Sequence, residues 1–187
     1  MARKQEVGQG RLIVSVIHSS LDALADSLTA LEKRFGLVQY ETVEIECSQA
    51  AAYKEEMGEN LQRRFFSFER PVERDALPLV KSVCCKVESQ FADRIDDYLF
   101  RTVNIDPGIL TPSNLVMASH REHNHSVYLE DGVFAIIALI WARDKFTRLP
   151  WTNLDFCDGD AIEFFGRVRE SFNLLEYSEG SPTSQVR

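Results

Sequence analysis

The chain has 187 residues, 44% of them hydrophobic, with only 9 Gly and 6 Pro. That composition supports one substantial core, excludes a disordered chain, and removes any need for disulfides or a structural metal to explain folding. Lys plus Arg number 21 against 29 Asp plus Glu, a formal charge of -8 that opposes non-specific attraction to nucleic acid or to an anionic membrane.

Residues 1–10 are charged and polar and are expected to form a flexible N-terminus, with a single α+β domain over 11–177 and a flexible tail over 178–187. The apolar run at 12–17 is short for an export signal, and 133–141 falls well below the roughly 20 residues a spanning helix requires. The expectation is a cytoplasmic protein. Cys47, Cys84, Cys85 and Cys157 contain no CxxC pair and read as free thiols rather than as zinc ligands.

Residues 11–18 concentrate β-branched side chains and read as a strand. Ser20 then caps a helix in which Leu21, Leu24, Ala25, Leu28 and Leu31 share a face until Gly36. Alternation predicts one strand over 37–46, followed by an exposed helical turn ending at Gly58. A strand over 61–69 is expected to stop at Pro71, and a helix over 73–91 carries Leu77, Val80, Cys84, Val87 and Phe91, with Pro78 in its first turn. Residues 101–106 form a further strand, which Asp106-Pro107-Gly108 should end and redirect. Strands over 115–119, 126–129, 133–141 and 146–149 follow, with a turn at Glu130-Asp131-Gly132. A last helix begins near Asp160, with Ile162, Phe165, Val168 and Phe172 on one face. The order predicts a ferredoxin-like split β-α-β-β-α-β core, extended by an antiparallel β-meander and a C-terminal helix.

Three groups carry candidate chemistry. Strand alternation puts Asn104 and Asp106 on one face, where they either meet a ligand or cap a turn. Arg63, Arg64 and Arg70, with Glu69 between them and Lys81 on the next helix, offer cations for a small anion. Alternation allows only one of Arg63 and Arg64 into a common site: Arg64 if it lies with Phe66 and Phe68, or Arg63 if it lies with Phe65. The segment His120-Arg121-Glu122-His123-Asn124-His125 holds three of the four histidines, without the spacing of a known metal motif. It reads as a metal site that Asp106 could complete, as a polar loop with one functional histidine, His125 transferring a proton beside Asp106, or as an exposed connection. His18 either joins a site or finishes its strand, and Trp151 either walls a pocket or packs a loop. The chain has no GxxxxGK[ST], GxGxxG or GxSxG, so a phosphate loop, a dinucleotide fingerprint and a nucleophile elbow are absent.

Several segments occur in order: Arg34-Phe35-Gly36, Tyr53-Lys54-Glu55-Glu56-Met57-Gly58, Arg63 through Arg70, Val103-Asn104-Ile105-Asp106-Pro107-Gly108, His125 with Val127-Tyr128-Leu129, and Leu149-Pro150-Trp151-Thr152. Over about residues 11–175 this series resembles the bacterial domain-of-unknown-function family numbered 4416. The resemblance implies one compact domain and draws Arg64, Glu69, Arg70, Asn104, Asp106 and His125 together as a candidate group. The cofactor is left unknown by both the sequence and the resemblance.

The leading expectation is a protein that binds or converts a small anionic molecule, with Asp106 and His125 as catalytic groups and Arg64, Arg70, Lys81, Asn104 and Glu69 as ligand contacts. A structural or protein-interaction module, exposing Phe164, Phe165 or Phe172, is the alternative. A metal-dependent hydrolase using Asp106 and His125 is weaker still. Neither nucleic acid nor membrane is an expected partner, and the sequence does not select an oligomeric state, a homodimer included.

Overall fold

A computed structural model of the chain describes residues 7–96 and 98–179. Parts of the expected flexible ends, 1–6 and 180–187, lie outside the described residues. β1 (Gly10–His18) is buried along its whole length, so both of its faces are covered. α1 (Leu21–Phe35) starts where Ser20 Oγ accepts the Ala23 N–H, and it ends at Gly36, whose φ of 90° suits glycine.

The single strand expected over 37–46 is divided into β2 (Val38–Glu41) and β3 (Ile45–Glu46). Thr42 interrupts the ladder by donating its N–H to the Phe65 carbonyl while its hydroxyl accepts the Phe65 N–H. α2 (Ala50–Met57) is less exposed than expected, because buried Met57 anchors it against Ile17, Cys47 and Leu61. β4 (Gln62–Val72) continues through Pro71 rather than stopping there. α3 (Leu77–Glu88), flanked by single 3-10 turns, is shorter than the predicted helix at both ends. β5 (Ala92–Ile95) and β6 (Tyr98–Arg101) make a separate two-stranded ribbon that the sequence pattern did not announce.

β7 (Val103–Leu110), β8 (Asn114–Ser119), β9 (Val127–Tyr128), β10 (Phe134–Ala142) and β11 (Lys145–Arg148) complete the strands, and α4 (Gly159–Glu179) follows. The sheet runs β11-β10-β8-β7-β1-β4-β2, with β3 joined to β4 and β9 to β10. Its β7-β1-β4-β2 portion is wholly antiparallel and comes from chain order β1-α1-β2-β4-α3-β7, the expected split core. One face packs Leu12, Val14, Val16, Phe66 and Phe68 against α1 and α3. The other packs Ile13, Phe65, Leu110 and Leu139 against Ala161, Phe164, Phe165 and Val168 of α4. Phe164 and Phe165 are therefore core, which removes them from the exposed patch envisaged for an interaction module.

β7 does not turn at Pro107-Gly108 but passes straight through. β8 pairs only with Gly108, Ile109 and Leu110, so the β7 edge from Val103 to Pro107 is left open on that side. Ile105 exposes its backbone groups to this open side, and alternation gives Pro107 the same orientation, so its missing N–H leaves no ladder partner unmet. Gly108 is needed where β8 closes in: a Cβ there would lie 2.3 Å from Met117 Sδ and 2.9 Å from the Val116 carbonyl oxygen. Gly108→Ala is expected to cost about 1–3 kcal/mol, measured by urea unfolding, because the second neighbour is backbone. A cost near zero would show that β8 shifts freely.

Candidate functional site

The divergence of β7 and β8 opens a cleft of about 400 Å³, in the range of small-molecule sites. α3 supplies side chains where a strand is missing. The Glu88 carboxylate accepts the Ile105 N–H at 2.6 Å, while Lys81 Nζ donates to the Ile105 carbonyl at 3.4 Å and to Asp106 Oδ1 at 2.7 Å. Asn104, two residues before Asp106 on the same strand face, donates its amide to Asp106 Oδ2 at 2.6 Å. Since an ionised carboxylate only accepts, this bond sets the amide orientation and leaves Asn104 Oδ1 as a free acceptor.

Burial works against the charged form of Asp106, but Lys81 and the Asn104 amide outweigh it and hold the carboxyl below its ordinary range. Burial likewise works against the Lys81 ammonium, and Asp106 outweighs it, raising the Lys81 pKa. Both groups are therefore charged at neutral pH. Asp106 is suited to accepting hydrogen bonds and orienting a ligand, and is a poor proton donor. Burial raises the Cys85 thiol, which also lines the cleft, and so keeps it protonated; burial and Asp106 do the same for the Tyr53 phenol.

Arg63 forms part of the cleft lining although only 2% exposed. Its Nε donates to Asp155 at 2.5 Å and its Nη1 to Ser15 Oγ, while the guanidinium lies over the Phe156 ring at 5.3 Å. Nη2 makes no hydrogen bond among the described residues, and the side chain lines the cleft, so the guanidinium is a preorganised donor there. Arg101, held by Glu56 and Glu88, ties α2, β6 and α3 together at the side. At the mouth stand His120, Arg121, His123, His125 and Trp151; the His123 and His125 rings are stacked at 5.2 Å and those of His125 and Trp151 at 4.6 Å.

The cleft thus brings together Lys81, Asn104, Asp106 and His125 from the expected group. It does not include Arg64, Glu69 or Arg70. Arg64 lies on the α1/α3 face with Phe66 and pairs with Glu41, whereas Arg63 lies on the Phe65 face and enters the site. Glu69 and Arg70 are exposed farther along β4, where Arg70 closes over Gly36 and the Glu69 carbonyl accepts from Arg11. His18 is buried with its Nε2 3.5 Å from Glu44 and does not line the cleft. Glu88, Arg101 and Arg121 were not anticipated; Arg121 stood beside the histidines in the sequence, but the other two are surface-like charges until the fold joins them.

Among the described residues no three His, Cys, Asp or Glu side chains are grouped to hold a metal ion. No helix among them is long and apolar enough to cross a membrane. A family model described as a domain of unknown function (DUF4416) matches residues 9–172. No curated protein and no solved structure matches the chain.

Proposed function

We propose that this chain, which belongs to the DUF4416 family, is a cytoplasmic protein that binds a small anionic molecule in the β7/β8 cleft. The observation that carries this reading is the buried Arg63 guanidinium, which lines the cleft, is fixed by Asp155 and Ser15, and makes no hydrogen bond through Nη2 among the described residues. Four cationic side chains, Arg63, Lys81, Arg101 and Arg121, line the cleft against two carboxylates, Glu88 and Asp106, in a chain whose overall charge is -8. Of the four, Arg121 is the one without a carboxylate partner among the described residues. It is exposed at the mouth, where it can capture the anion before Arg63 holds it. If the bound molecule is also converted, His125 moves the proton and Asp106 orients the reacting group.

Calorimetric titration of the protein with phosphate, sulfate and small dicarboxylates tests the reading. Saturable binding of at least one is expected, weakened about tenfold by Arg121→Ala with unchanged thermal stability, the substituted residue being exposed. Failure of every anion to bind, or binding indifferent to Arg121, defeats it.

A further inference from the structure

Resting on that reading, we infer that the anion is a hydroxylated ring, a phosphorylated or carboxylated sugar, rather than a bare acid. A simple anion uses donors alone, yet the cleft also presents acceptors. Asp106 holds lone pairs beyond those engaged by Lys81 and Asn104, and Asn104 Oδ1 has no partner among the described residues. These acceptors would face a fully ionised sulfate or carboxylate with repulsion and would stay unmatched. A hydroxyl donates and accepts at once. It therefore suits a place where Asp106 and Asn104 Oδ1 accept while Lys81 Nζ donates. An ammonium suits it less, because Lys81 already neutralises Asp106 at 2.7 Å and would repel a second cation.

The wall of the cleft supplies the matching flat surface. His123, His125 and Trp151 form a near-parallel stack, with interplanar angles of 16° and 14°, and Trp151 Nε1 is fixed on the Ile137 carbonyl at 2.9 Å. Trp151 remains 40% exposed, so ring area is available to the C–H face of a sugar. The anion contacts come from Arg63 on β4 and from Arg121, the hydroxyl contacts from β7 and α3, and the stacking rings from 123–125 and 151.

The test is calorimetry on the full chain with glucose 6-phosphate, ribose 5-phosphate, glucuronate, butyl phosphate, butyrate, 2-aminoethyl phosphate and glucose. At least one sugar anion is expected to bind about tenfold tighter than the alkyl anion of the same charge type, and tighter than glucose. The phosphate and carboxylate pairs distinguish the two anion sources. Trp151→Leu should lower the ratio of sugar-anion to alkyl-anion affinity, both measured on the variant itself with its urea unfolding still cooperative; an unchanged ratio overturns the stacking contact on which the sugar inference rests. Equal binding of sugar and alkyl anions overturns the sugar inference and leaves anion binding standing. So does tighter binding of 2-aminoethyl phosphate than of any sugar anion. Binding of glucose alone, or of none of the probes, overturns both.

Discussion

Replacing Arg63 by methionine is expected to destabilise the protein by about 3–5 kcal/mol, because it strands a buried carboxylate. The Asp155 side chain is fully buried, its Oδ2 is held by Arg63, and its Oδ1 has no hydrogen-bond partner among the described residues. The guanidinium also packs between Phe65 and Phe156, so part of the loss is contact rather than charge. Asp155→Leu alone strands the cation instead and should cost a similar amount. The double variant Arg63→Met/Asp155→Leu removes both desolvated charges and should recover most of the loss. Urea unfolding of the four proteins measures the coupling directly. Additive losses in the double variant would show that the two charges do not stabilise one another. The recovered double variant also offers a folded protein whose cleft lacks its fixed cation, in which anion affinity should be lost.

The same residue shows where sequence reasoning reached its limit. Alternation established that Arg63 and Arg64 face opposite ways, but one-residue register decides which enters the site. Phe65 and Phe66 gave no help, since both faces of β4 are covered and both rings are fully buried. Asn104 and Asp106 were legible because their two-residue spacing survives in any strand, edge or centre. Lys81 was legible as a cation after β4, though its route past an uncovered strand edge was not. Glu88 had no sequence signal: one oxygen serves Arg101 and the other serves the Ile105 N–H, a role that exists only because β8 departs from β7.

The fold itself was readable wherever hydrophobic period and punctuation agreed. The first strand and helix, with Ser20 and Gly36 at the helix ends, required only local physics. Pro107-Gly108 misled because the usual turn chemistry of Pro and Gly was overridden by tertiary context. Pro107 faces an edge with no ladder to serve, and Gly108 makes room for Met117 and Val116. The β5–β6 ribbon was missed because 92–101 lacks a core-facing alternation. Its Ile95, Tyr98 and Phe100 are exposed, and it forms no part of the main sheet.

Asp106→Asn should give the second large effect, visible as a changed pH profile of stability. In the native protein the Asp106 carboxyl titrates below its ordinary value, so its stabilising contribution is present above about pH 4 and disappears as the pH falls through the lower folded value. Lys81 runs the other way. Its raised folded pKa makes its contribution complete below about pH 10.5 and progressively lost as the pH climbs through the folded value. The pair therefore supports the fold across the whole neutral range. The asparagine keeps an acceptor for Lys81 but removes the charge that outweighs burial of the ammonium, on a residue only 6% exposed. A cost of about 3 kcal/mol at pH 7 is expected, together with a shallower acid limb and destabilisation that eases as the pH rises and Lys81 loses its proton. Lys81→Met leaves Asp106 without its cation but still in contact with the cleft, and should cost less. A profile for Asp106→Asn parallel to that of the wild type from pH 3 to 11 would show that the ion pair at the open edge of β7 does not couple to folding.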